Sequence, residues 1–275
     1  MGKWEILDHL LKINNIIKQY EWENGTTEPI LCDLSDNTRA VVKYPNNPEG
    51  NLILFNEFVG YEIAKAINLP TPQCGVCQLD SSSCFSINNH IINENNFGKC
   101  FYSTFLESSI PLKSENIFCK IENAIDFYNM IVFDHIVYNI DRHPGNILVC
   151  LKKPIKFYTI DNSHIFKNQS IWDRYTFLRG METNDYCDEK ICDFNKDTYG
   201  SFFRFQVFDR SILLHYIRAA QDVLTDEKIH TIIASTPQEW ILVKEDVMML
   251  EKYLNYRISH LEHIIEIVER RSKDA

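Results

Sequence analysis

One polar loop constrains this chain more than any other feature. Ile121–Tyr138 reads as an apolar helix, and residues 139–146 (Asn-Ile-Asp-Arg-His-Pro-Gly-Asn) carry turn chemistry. Two short β-rich runs follow, Ile147–Leu151 and Lys156–Ile160. If they form a hairpin, Asn146 at the loop's end meets Asp161 at the end of the second run. Asp141, Asn146 and Asp161 thus come from a loop, its end and the end of a following strand, and such a hairpin would bring the latter two together.

The elements around this loop differ in character. Upstream, residues 1–25 are expected to form a helix, from the three-to-four spacing of Leu7, Leu10, Leu11, Ile13, Ile16 and Ile17. PILCDL, the turn SDNT and RAVVKY predict an antiparallel hairpin. Pro45–Asn51 reads as a loop, and Leu52–Asn68 as a helix stopped by Asn68, Pro70 and Pro72. Strands are expected at Gly75–Leu79 and Lys99–Phe105, with a Ser/Asn-rich loop over Ser81–Asn96. Downstream, helices are expected near Arg210–Val223, Asp226–Ala234 and Lys244–Arg271. The β-rich part and the helical part meet near Leu106–Ser114. No internal repeat or low-complexity block is evident.

Composition narrows the class. A chain of 275 residues that is 45% hydrophobic has ample material for a core and is not intrinsically disordered. Nine glycines and nine prolines exclude collagen-like sequence. Twenty-eight basic against 38 acidic residues give a net charge of −10, which opposes binding to nucleic acid or an anionic membrane. No run approaches the roughly 20 apolar residues needed to span a bilayer. The N-terminus lacks a signal-peptide pattern, and Ile6 breaks the myristoylation motif. Nine cysteines, odd in number and irregularly spaced, predict free thiols in a reducing, cytoplasmic setting.

The residue types at the loop suit a particular chemistry. Mg²⁺ takes few oxygen ligands from protein when phosphate and water supply the rest. One amide oxygen (Asn146) and one carboxylate (Asp161) fit that demand, leaving Asp141 to orient a hydroxyl and accept its proton. Asp141 and Asn146 have the five-residue offset of a phosphoryl-transfer loop. Lys43 ends an apolar run on an expected strand, and Glu57 lies on the next helix, placed to pair with it. Each residue alone has a plainer reading: Asp141 as a turn former, Lys43 and Glu57 as solvated charges.

DRHPGNILV, followed by the IDN segment, resembles the catalytic and metal-binding segments of phosphatidylinositol 3/4-kinase-like and HipA-like kinases. AVVKYPNNPEGN, LFNEFVGYEIAKAINLPTP and FDHIVYNIDRHPGN look like HipA-like kinase domains, and the similarity runs from about Gly25 to Phe166. The resemblance implies an α+β, bilobed protein-kinase-like fold: an N-terminal lobe over residues 1–107 and a helical C-terminal lobe over 108–275. It implies phosphoryl transfer from ATP with Mg²⁺, with Asp141 as base, Asn146 and Asp161 as metal ligands, and Lys43 on the phosphates with Glu57 as partner. ATP would lie between the lobes, with Phe105, Leu106 and Glu107 as the hinge. The acceptor implied is a protein Ser/Thr hydroxyl, the chain's own included, and an antitoxin-like partner belongs to the same expectation.

The chain also departs from kinase patterns. It has no G-x-G-x-x-G loop, so Gly25-Thr26-Thr27 is the candidate phosphate cover, with Thr26 and Thr27 as its contacts. Asp161-Asn162-Ser163 stands where a DFG motif would. A nucleotide-binding pseudokinase and a phosphoinositide or small-molecule kinase therefore remain as alternatives. Arg142 is open between a phosphate contact and a pair with a loop carboxylate, and His143 between proton transfer and a loop-fixing hydrogen bond. Cys74-Gly-Val-Cys77 lacks the second pair of a zinc ribbon and reads as free thiols.

Overall fold

The computed structural model describes residues 10–19, 27–85, 92–112, 115–241 and 243–274. Six strands form the first sheet: β1 (Leu11–Gln19), β2 (Ile30–Leu34), β3 (Arg39–Lys43), β4 (Cys74–Leu79), β5 (Cys84–Phe85) and β6 (Gly98–Thr104). Its order is β2-β3-β6-β4-β1-β5, and β1 also pairs with β2, so five strands close into a ring with β5 outside it. The interior is a small apolar core that includes Ile13, Ile16, Ile30, Leu34, Val42 and Leu79. The expected β2–β3 hairpin is present, with Ile30 opposite Val42 and Asp33 opposite Arg39.

The expected N-terminal helix is overturned over its described part. Leu11–Gln19 is a strand, antiparallel to β2; residues 1–9 and 20–25 lie outside the described residues. The cause is visible in the register, which shifts between Ile13 and Asn15 and again between Ile16 and Lys18. Bulges insert a residue into the pleat. Here they turn Ile13 and Ile16, three apart, to the same interior, and so mimic helical spacing. The β-branched isoleucines favour the strand.

Helix α1 (Leu52–Ala66) crosses from the ring to the second, larger core. Eleven of its fifteen residues are buried, so it has almost no solvent face. Phe55 packs on Trp172 and Phe58 on Trp240. The Trp240 indole donates to the Lys99 carbonyl on β6 (3.0 Å), tying a C-terminal turn back to the first sheet.

A three-stranded antiparallel sheet follows, β7 (Ser109–Pro111), β8 (Ile147–Cys150) and β9 (Lys156–Thr159). Helix α2 (Phe127–Ile136) precedes β8. It is shorter than the sequence suggests, because residues 115–120 and 124–126 are 3₁₀ turns. All ten of its residues are buried, so no amphipathic edge marks its start. The remainder is helical: α3 (Arg174–Glu182), α4 (Lys190–Phe194), α5 (Lys196–Phe205), α6 (Arg210–Val223), α7 (Asp226–Ala234), α8 (Lys244–Ser259) and α9 (Ile264–Ser272). The expected single terminal helix is two, broken by a 3₁₀ turn at Leu261–His263. Among the described residues no helix is long and apolar enough to cross a membrane. The class is mixed α+β.

Candidate active site

Lys43 ends β3, which has paired neighbours on both sides, and its side chain is buried. Its ammonium donates to Glu57 Oε1 (2.5 Å), Asp161 Oδ1 (2.8 Å) and Ser163 Oγ (2.7 Å). A buried ammonium without such acceptors would be costly. Burial works against its charge, but the Asp161 and Glu57 carboxylates outweigh that and raise its pKa. Burial, with the nearby Asp161 charge, keeps the Glu57 carboxyl raised, although Lys43 and the Asn162 N–H pull against it. Glu57 accepts three donors: Lys43, the Asn162 backbone N–H (3.0 Å) and the Ser163 hydroxyl (3.1 Å). That is an ionised carboxylate's environment.

Asp161 lies just past β9. Its backbone is left-handed (φ 60°), a strained state for a non-glycine residue. This kink turns Asn162 and Ser163 back toward Glu57. The approach needs Gly60: a Cβ there would stand 2.8 Å from Asn162 Cβ and 2.9 Å from Ile165 Cδ1. Burial opposes ionisation of Asp161, yet Lys43 and Ser163 hold its carboxyl well below the usual range. Its side chain remains 39% exposed, open to a ligand.

The β8–β9 hairpin forms as expected, with Ile147 opposite Thr159. The Ile160 N–H donates to the Asn146 carbonyl (3.0 Å), which places Asn146 beside Asp161. The Asn146 amide N–H donates to the Asp141 carbonyl (2.7 Å), and its Oδ1 accepts no hydrogen bond from the described residues. Asp141 is itself half-exposed, and its N–H donates to Asn139 Oδ1 (2.9 Å).

Arg142 is fully buried and forms an ion pair with Asp134 of α2 (3.0 Å). It also donates to the carbonyls of Asn146 and Ile160 (both 3.2 Å). Arg142 thus pairs with a carboxylate, on a helix rather than on the loop, and clamps the loop to the hairpin. Tyr199 and Asn139 complete the bonding of Asp134. His143 Nδ1 accepts the Gly145 N–H (3.0 Å), the loop-fixing role.

The HipA-like kinase family profile matches residues 13–271. This chain belongs to the HipA-like kinase family. Its fold is similar to that of the crystal structure of a Helicobacter pylori proinflammatory kinase, CtkA (TM-score 0.58, 16% identity), over 97% of this chain and 99% of that one. A Shewanella oneidensis MR-1 HipA, in a complex with HipB and operator DNA, matches more loosely (TM-score 0.46, 10% identity; 85% and 60% of the two chains). So does a Golgi casein kinase (TM-score 0.48, 13% identity; 94% and 72%). No curated protein sequence matches.

In this HipA-like kinase chain, Lys43 contacts both Glu57 and Asp161, Asn146 bonds to Ile160 next to Asp161, and Asp141 bonds to Asn146. Thr26 lies outside the described residues. Thr27 is buried ahead of β2 and makes no hydrogen bond to the cluster among the described residues. Residues 105–108 connect β6 to β7, and so join the two sheets. There the Phe105 N–H donates to the Arg39 carbonyl (2.9 Å) and Glu107 pairs with Lys152 (3.0 Å).

Two site residues escaped the sequence reading. Ser163 holds both Lys43 and Glu57, and its signal was its place two residues past Asp161. His164 contacts Asp141 and Glu49, a pairing across 115 positions that no local pattern discloses. The CxxC cysteines are free, and among the described residues no group of three or more His, Cys, Asp or Glu could hold a metal.

Proposed function

We propose that this HipA-like kinase transfers the γ-phosphoryl group of ATP to a hydroxyl, in a cleft between an N-terminal lobe (residues 1–107) and a C-terminal lobe (108–275) joined by a hinge at Phe105–Glu107. The observation that carries the reading is the convergence of Lys43, Glu57 and Asp161, from β3, α1 and the end of β9, beside Asp141 and Asn146. In this reading Lys43 meets the phosphates, held by Glu57 so that it needs no search. Asn146 Oδ1 and the exposed side of Asp161 would hold Mg²⁺, which supplies charge neutralisation on the phosphates when bound. Asp141 orients the acceptor and takes its proton.

The favoured acceptor is a protein Ser or Thr, including one of this chain. Thr26 and Thr27 belong to the reading as cover for the phosphates, and an antitoxin-like protein partner and a cytoplasmic setting rest on family membership and free thiols. A second reading, a nucleotide-binding pseudokinase, draws on one observation: Asp161 Oδ1 already accepts from Lys43 and Ser163. Thermal-shift titration with ATP, with and without Mg²⁺, tests the site. The kinase reading expects Mg²⁺-dependent stabilisation that Asn146→Ala and Asp161→Ala abolish. Stabilisation without phosphate transfer to any acceptor would favour the pseudokinase.

A further inference from the structure

We propose that His164 is a positioning residue for phosphoryl transfer: it holds the Asp141 carboxylate on one side while Glu49 fixes its ring from the other. The proposal rests on the kinase reading above. His164 Nδ1 lies 3.3 Å from Asp141 Oδ2, and Nε2 lies 2.9 Å from Glu49 Oε2. A neutral imidazole has a single N–H, whereas both nitrogens here face carboxylate oxygens, so the arrangement calls for the doubly protonated ring. The charged groups facing it are Asp141 on the polar loop, Glu49 ahead of α1, and Asp161 past β9. The hydrogen bond to Asp141 and the charges of Glu49 and Asp161 raise the ring's pKa to about 9, against the opposing effect of burial.

Glu49 is presented by a built loop. The Asn47 side-chain amide donates to the carbonyls of Tyr44 (2.8 Å) and Gly50 (3.1 Å), and the Asn47 oxygen accepts the Glu49 N–H (2.9 Å). The same loop is held to the turn at 94–96 by Asn96, which donates to the Pro45 carbonyl (2.9 Å). His164 therefore links two independently anchored loops, one from each side of the cluster.

The consequence for Asp141 is directional. Oδ2 faces His164 and, at 3.5 Å, the Asn146 amide, whereas Oδ1 accepts nothing from the described residues. Oδ1 is thus the atom presented to the acceptor. In the transfer, the acceptor O–H bond breaks and its proton goes to Asp141 Oδ1. The acceptor oxygen bonds to the γ-phosphorus, and the bond from that phosphorus to the bridging oxygen breaks, with its electron pair leaving on ADP. His164 keeps both protons throughout; it sets the carboxylate's orientation and does not touch the acceptor.

The test uses the full chain, with His164→Asn and Glu49→Gln beside wild type. His164→Asn is expected to lower kcat about 10–100-fold while the KM for ATP stays nearly unchanged, a split that separates positioning from nucleotide binding. Wild-type kcat should fall as pH rises through about 9, and that limb should vanish in His164→Asn. NMR titration of the histidine rings should place His164 near 9 in wild type and shift it toward the ordinary 6.5 in Glu49→Gln. A transferring wild type whose kcat and alkaline limb are indifferent to His164→Asn overturns the positioning role alone. A His164 ring that titrates near 6.5 in wild type overturns it as well. A folded wild type that transfers no phosphate overturns the kinase reading, and the positioning role with it.

Discussion

Gly60 of α1 and Asn162, just past β9, approach so closely that a methyl group on Gly60 would lie 2.8 Å from Asn162 Cβ. Helix and turn are in backbone-level contact there. That contact puts Glu57, one turn earlier on the helix, opposite the Asn162 N–H and the Ser163 hydroxyl. Gly60→Ala should therefore push the turn away from the helix. We expect a loss of about 1–3 kcal/mol in stability, typical of overpacking, together with weaker Mg²⁺-ATP binding. Chemical denaturation and ATP thermal shifts measure the two effects.

Arg142 and Asp134 form a buried ion pair with both side chains fully inaccessible. Arg142→Met would leave the Asp134 carboxylate to Asn139 and Tyr199, and would release the carbonyls of Asn146 and Ile160. Breaking one partner of such a pair costs about 3–5 kcal/mol. Arg142→Lys should rescue little, because one ammonium cannot reproduce the planar fork that reaches Asp134 and two carbonyls. Denaturant midpoints of both variants decide this.

Lys43→Met should remove the ATP-dependent thermal shift, since Glu57 and Asp161 would face each other without a cation. Glu57→Gln should act more mildly. The Gln side-chain oxygen can still accept from Lys43, with the amide NH2 set against the Asn162 N–H, and Asp161 and Ser163 keep their own contacts with the ammonium. A Lys43→Met protein that binds Mg²⁺-ATP as wild type does would remove Lys43 from the phosphate site.

His164 also makes a pH prediction for stability. Its pKa in the folded chain is raised to about 9 from an ordinary 6.5. Folding is then favoured by proton binding, so the contribution is fully present below 6.5, declines as pH rises, and is lost above about 9. Thermal melts of wild type against His164→Asn should converge as pH rises through that window. Parallel melts across it would contradict the assignment.

How far the sequence could be read follows from which contacts are local. Asp141, Asn146 and Asp161 are joined by one loop and one hairpin, and their juxtaposition was legible from turn chemistry and two β-rich runs. Lys43 and Glu57 were legible because a strand and the next helix present them in order. The strand at Leu11–Gln19 was misread because two bulges imposed a spacing of three on a pleat of two. Helix α2 is blurred because burial on every side erases amphipathic edges, whereas α8 and α9 both keep an exposed face, and no Gly or Pro marks the break between them at Leu261–His263. Glu49, His164 and the Trp240 anchor on β6 depend on pairings across more than 100 positions, which local patterns do not encode.

Asp141 is proposed as the base of an ATP-dependent phosphotransferase. The direct measurement is transfer of labelled γ-phosphate, with Mg²⁺, by wild type and Asp141→Asn proteins shown to be equally folded. Wild type should label a protein hydroxyl, on itself or on an added acceptor, and Asp141→Asn should lose about 10²-fold or more of that rate. Equal transfer by the two proteins, or none by either, would contradict it.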